Sequence, residues 1–219
     1  MTLSKKVTLK IAKQKEEKAE FGRLVFNQYC LSLNWYDKKQ FPAGIFTDEY
    51  DTKGDIVAIY SEKEMIAGMR LVRDSELGFP HEKEILLKSL NLNNEMINPA
   101  MKKLLETPRK NISEITRFVG KDKRKRILTL DMLKGIYWYA VLNSVDVYFM
   151  LVDMQLFLLC QRLNIPIDPI GIPIYCEGSW TIPTIISMDK LQEKNHPVDE
   201  KIWSYITDRS NIIGEWEIS

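Results

Sequence analysis

The side chains in this chain that can do chemistry are carboxylates and guanidinium groups in a telling order, with no convincing nucleophile among them. Arg23 lies on a charged helix that ends near Trp35, and two acids three residues apart, Asp48 and Asp51, follow. A β-favouring run then carries Gly68-Met69-Arg70-Leu71, and a later one carries Glu114-Ile115-Thr116-Arg117-Phe118. Directly after it, Lys121, Lys123, Arg124, Lys125 and Arg126 place five positive charges in six residues. Groups of this kind move protons and hold charges: a carboxylate attracts an ammonium group and then accepts its proton, directly or through water. Covalent catalysis is disfavoured. The histidines are His81, after a Phe-Pro turn, and His196, in a polar stretch, and neither context looks poised to activate a serine or cysteine.

Each of these residues also has a structural reading. Asp48 and Asp51 suit a polar turn as well as a site. Arg70 reads as the buried charge partner of one of those acids before it reads as catalytic. Trp35 serves equally as core packing or as a pocket wall, and Arg23 sits at the border of the apolar stripe formed by Phe21, Leu24 and Val25. Glu114 and Arg117 are three apart, so on an ideal strand they face opposite sides, and joint work by them needs a bulge. The basic run is a solvated loop or a docking rim.

The elements that must position these groups follow from periodicity. Lys13–Leu33 predicts a helix, 55–60 and 65–72 a hairpin, Ile112–Val119 a strand, and 127–142 a strongly amphipathic helix. Val145–Val152 is apolar apart from Asp146, as in a strand covered on both faces. A helix over 154–163, strands near 170–175 and 180–187, and a small helix near 201–207 complete the order, while 73–109 reads as loops around one or two short helices. Met132, Tyr137, Tyr139, Phe149, Leu151 and Leu156 read as core first, although some of them suit the lining of an acyl tunnel. The expected fold class is α/β (α+β), a mixed and mostly antiparallel sheet with helices on both faces, closed as one domain over 1–219. Neither a G-x-G-x-x-G after a strand nor a G-x-x-x-x-G-K-[ST] loop is present, which argues against dinucleotide and P-loop readings.

Composition narrows the classes further. Net charge is +1, so electrostatic docking must be local, and nucleic-acid binding by the basic run is the weakest reading. Cys30, Cys160 and Cys176 have neither disulfide-framework nor zinc spacing, which suits a reducing cytosol. With no apolar leader and no run long enough to span a bilayer, the expectation is a cytoplasmic protein with no membrane span and no metal.

The order Arg23, Trp35, Asp48, Asp51, Arg70, Glu114 and Arg117 resembles that of the autoinducer synthases, which make acyl-homoserine lactones, and of the related N-acyl amino acid synthases, both GNAT-like acyltransferases. Their pattern is an early helical arginine, a tryptophan, an acidic pair three apart, G-x-R on a strand and E-x-[ST]-R-F on the next core strand. The resemblance covers roughly residues 20 to 190. Thr116 stands where the lactone enzymes usually have serine, and the expected aromatic between Arg23 and Trp35 is matched cleanly by neither Phe26 nor Tyr29.

The resemblance implies transfer of a fatty acyl group from a carrier thioester to the amine of an amino-acid-like acceptor. It makes Glu114 the proton acceptor and gives the oxyanion to the backbone of Phe118 and Val119. Arg23, Trp35, Asp48, Asp51, Arg70, Thr116 and Arg117 fall to substrate binding. A basic rim without a glycine-rich pyrophosphate cradle implies acyl carrier protein as donor, with docking at Lys121, Lys123, Arg124, Lys125 and Arg126; acyl-CoA is the other donor. The acceptor is S-adenosylmethionine, giving a lactone and a part in quorum sensing, or a free amino acid. A CoA-dependent acetyltransferase is the further alternative.

Overall fold

The computed structural model describes residues 7–85, 98–121, 125–176, 178–193 and 198–216. They form two compact units. The first holds the chain up to Leu71, Arg117–Asn143 and the chain from Lys201; the second holds Val72–Thr116 and Ser144–Glu200.

β1 (Val7–Ile11), β2 (Gly54–Ser61), β3 (Glu64–Arg73) and β4 (Ile112–Gly120) are hydrogen-bonded in that order, the first unit holding β3 as far as Leu71 and β4 from Arg117. β1 and β2 run antiparallel, and Glu62, with φ of 59°, makes the tight turn into β3. Helix α1 (Lys15–Phe26) opens with a capping box between Gln14 and Glu17. It continues as a π-helical turn over Asn27–Ser32, where the Leu33 N–H donates to the Gln28 carbonyl five residues back. Phe21 of α1 lies under Gly68, whereas Val57, Met69 and Leu9 pack on Gly135 of α3 (Lys125–Asn143). Gly68 and Met69 face opposite sides of β3, so α1 and α3 cover opposite faces of this unit's sheet.

The expected amphipathic character of α3 is not found, since Leu128–Ile136 is buried all round. Helix α6 (Glu200–Thr207) explains it by covering the remaining face: Trp203 packs edge-on against Tyr137, and the Tyr205 hydroxyl donates to Asp131. Asp131 and Lys134 are thereby fully buried, and Lys134 lies 4.5 Å from the Tyr205 ring centroid and 3.5 Å from Asp208. Burial raises the Asp131 carboxyl and lowers the Lys134 amine, each shift resisted by the partners just named.

In the second unit the order is β4, β5 (Val147–Asp153), β8 (Ser179–Ser187) and β6 (Ile167–Pro169), with β7 (Ile174–Cys176) also on β8. β4 and β5 are parallel, and every pairing of β8 is antiparallel. Helix α2 (Pro99–Glu106), capped by Asn98, buries Ala100, Met101 and Leu104 in one cluster with Ile112, Val147, Phe149 and Ile185. Helices α4 (Met154–Arg162), whose first turn is capped by Asp153, and α5 (Met188–Gln192) complete the unit. No described helix is long and apolar enough to cross a membrane.

Candidate active site

Gly54, at the start of β2, sets the first of two constellations. A Cβ there would stand 2.8 Å from Arg70 Cγ, so only glycine lets the Arg70 stem lie across the strand end. The guanidinium, 2 % exposed, then reaches the 3-10 turn Glu49–Thr52. Its Nη1 lies 2.5 Å from Asp48 Oδ1 and 2.8 Å from Asp51 Oδ1, and its Nη2 lies 3.0 Å from Asp48 Oδ2. The same acids cap their own turn: Asp48 accepts from Tyr50 N, and Asp51 accepts from Asp48 N at 3.0 Å. Turn residue and charge partner are therefore one role, and Arg70 serves both acids rather than one.

Arg117 joins the same pair. Its Nη1 donates to Asp51 Oδ1 at 2.6 Å, and its Nη2 stands 2.6 Å from Asp48 Oδ2, off the hydrogen-bonding direction. It reaches them because φ at Arg117 is 52°, a left-handed kink within β4 that costs about 1–3 kcal/mol in a non-glycine residue. The ion pairs, and the Phe46 ring 4.7 Å from the guanidinium, offset that cost.

Two acids and two guanidinium groups balance in charge. Burial raises the Asp48 carboxyl, but the hydrogen bond from Arg70 and the charges of Arg117 and Arg70 outweigh it and hold the group below the usual carboxylate range. Burial likewise works against the Arg70 cation and is overcome by the two acids. Arg117 goes the other way, lowered by burial and by repulsion from Arg70. Gly54→Ala is expected to cost about 1–3 kcal/mol through overpacking on the Arg70 stem. In a double-mutant cycle read by denaturant unfolding, most of that loss should vanish in an Arg70→Ala background, which lacks Cγ and Cδ.

Glu114 forms the second constellation, in the other unit. It is 0 % exposed on β4 and stands opposite Phe149 of β5. Its Oε2 accepts from the His81 backbone N–H at 3.1 Å, and its Oε1 lies 2.5 Å from His81 Nδ1. One residue further, the parallel ladder ends at Ile115↔Met150; Thr116, buried, is the first position of β4 without a partner on β5. A cavity of about 190 Å³ opens in this unit among Phe79, Ile85, Leu104, Ile112 and Phe149. Ile112 lies two positions from Glu114 and so on the same face of the strand, beside the pair of Glu114 with Phe149. Arg109 closes the rim, bonded to Asp74 and Glu82 and set 5.0 Å from the Phe79 ring centroid.

The other expected residues are placed as follows. Arg23 is exposed on α1. Trp35 is half-buried against Tyr29 at 5.0 Å, within the aromatic group of the first unit. Phe118 is half-buried and Val119 is buried in that unit's core. Lys121 pairs with Glu64 at 2.9 Å. Lys123 and Arg124 lie outside the described residues, as does His196, and Lys125 and Arg126 begin α3. Of the six residues read as core, Met132, Tyr139 and Phe149 are buried, while Tyr137, Leu151 and Leu156 are half-buried; Phe149 lines the cavity. Among the described residues no cluster of three or more His, Cys, Asp or Glu could hold a metal. Sequence reasoning missed His81, although a glutamate inside an apolar strand needs a donor.

The strand order, the parallel β4–β5 pair and the flanking helices define a GNAT-like fold, the one seen in acyl-homoserine lactone synthases. No family model and no curated protein matches the chain. Among solved structures it is similar to the CoA-dependent acyl-homoserine lactone synthase BjaI with SAM and isopentyl-CoA, at TM-score 0.64 and 14% identity, covering 94% of this chain and 92% of that one. It is also similar to the synthase LasI (0.60, 12% identity, 97% and 99% covered). FeeM, an N-acyl amino acid synthase from uncultured soil microbes, matches at 0.61 and 12% identity over 87% of this chain and 97% of that one. The resemblance read from the motifs thus holds at the level of the fold.

Proposed function

We propose that the chain is an N-acyltransferase that moves a fatty acyl group from a carrier thioester to the α-amine of an amino-acid-like acceptor. The observation that carries this reading is Glu114: a fully buried carboxylate one residue from the end of the β4–β5 ladder, on the face that holds an apolar cavity. An α-amine is mostly protonated near neutral pH, and Glu114 draws the ammonium in and takes its proton. The neutral nitrogen attacks the thioester carbonyl, and backbone N–H groups steady the oxyanion. Successive N–H groups alternate between the two edges of a strand, so Phe118 and Val119 offer one donor to the edge away from β3. Collapse expels the thiolate.

The Asp48, Asp51, Arg70 and Arg117 lattice holds its turn and the kinked part of β4 in place. Acyl carrier protein docks at Lys121 and the basic residues after it. The favoured acceptor is S-adenosylmethionine, which yields an acyl-homoserine lactone; a free amino acid is the alternative. The cavity takes the acyl tail. An apolar cavity of ~150 Å³ holds benzene, so one of about 190 Å³ suits a tail of roughly six to eight carbons.

The test offers purified protein a series of donors from four to sixteen carbons, as acyl carrier protein and as acyl-CoA, with S-adenosylmethionine or free amino acids. Products are read by mass spectrometry. The expected product is an N-acyl compound with roughly six to eight carbons preferred. Absence of any acylated amine with either donor overturns the reading, and preference for twelve carbons or more removes the cavity from it.

A further inference from the structure

The fate of one proton points beyond Glu114. In the proposed reaction the acceptor ammonium begins with three protons: one remains on the amide, one ends on the departing thiolate, and one must reach solvent. The group that first takes it is 0 % exposed, and a proton held there blocks the next turnover.

His81 meets that carboxylate twice, with its backbone N–H on Oε2 and with Nδ1 beside Oε1. Its side chain is 16% exposed, so the ring extends from the buried acid toward water. Imidazole is the side chain able to take a proton on one nitrogen and release another from the second near neutral pH. Two anchors from one residue also fix the plane of the carboxylate. Glu82, the next residue, is bound by Arg109, which also binds Asp74.

We propose that His81 is the positioning residue and proton outlet of Glu114: it orients the carboxylate and carries the released proton to solvent between turnovers. This rests on the acyl-transfer reading. The step is a transfer only. The proton leaves Glu114 for Nδ1 as another leaves Nε2 for water; the pair regains its charge, and the ring, left as the Nδ1–H tautomer, exchanges with water back to the Nε2–H tautomer before the next transfer.

Two measurements decide it. In acyl-transfer assays, His81→Gln, which keeps a donor but cannot relay, is expected to lower kcat about 100-fold while KM stays within about threefold. Added imidazole should restore His81→Ala at least about fivefold. Full kcat in His81→Gln, or no rescue by imidazole, overturns the relay. Independently of any activity, the ¹⁵N resonance of His81 Nδ1, assigned by its loss in His81→Gln, should move when Glu114→Gln is introduced. An unmoved resonance overturns the pairing itself. Failure of the wild type to acylate any amine, with the resonance responding as expected, sinks the acyl-transfer reading and the relay with it, and leaves the pairing standing.

Discussion

Glu114→Gln is expected to reduce kcat/KM for acyl transfer about 1,000-fold, within the range that general acid–base groups contribute. Glutamine keeps the shape and still accepts from the His81 backbone N–H, but it cannot take the ammonium proton. The fold should survive, because glutamine keeps the volume, can still meet both His81 contacts and leaves no buried charge behind. The measurements are steady-state kinetics and a thermal melt on the same preparations. Loss of rate at an unchanged melting temperature assigns Glu114 to the chemistry. A variant that retains a tenth of wild-type rate removes it from that role.

Arg70→Met is expected to give the largest loss of stability. It leaves Asp48 and Asp51 sharing Arg117 alone, and unpairing buried charges costs about 3–5 kcal/mol. Both acids keep some contact with water, which reduces the expectation to about 2–4 kcal/mol. For a chain of this size that is a drop in Tm of about 5–15 °C. Arg70→Lys should recover only part, since an ammonium cannot grip two acids with a planar fork. The pH dependence has a definite sign. Asp48 is held low in the folded state, so its contribution is complete above about pH 4, the unfolded value, and fades as pH falls through the lower folded value. Melting curves across acid pH should therefore be flatter in Asp48→Asn than in the wild type. A parallel course in the two proteins refutes the coupling.

How far these groups were legible in the chain depended on how local their causes are. The β2–β3 hairpin and the strands β4, β5 and β8 follow from alternation and apolar runs, which are properties of neighbouring residues. β1 was missed because Val7–Ile11 is short and carries Lys10; its order comes from pairing with β2 and from the contact of Leu9 with Ile212 near the other end of the chain. The partnership of Arg70 with an acid was readable from residue types, since a buried guanidinium on a strand needs one. That Arg117 joins it was not, because the kink at φ 52° is invisible to strand periodicity. The contact of His81 with Glu114 spans 33 residues and follows a turn whose direction no local pattern fixes. Helix α3 misled for a related reason: Asp131 and Lys134 look solvent-facing until α6 covers them.

The π-helical turn at Asn27–Ser32 bears on how such a chain diverges. Closing hydrogen bonds over five residues instead of four absorbs one additional amino acid without breaking the helix. Here it lets Tyr29 and Cys30 both turn inward, with Tyr29 meeting Trp35 and Phe46. A cousin with an unbroken α-helix at this point would be shorter by one between Phe26 and Trp35, and its aromatic would fall out of step with Tyr29.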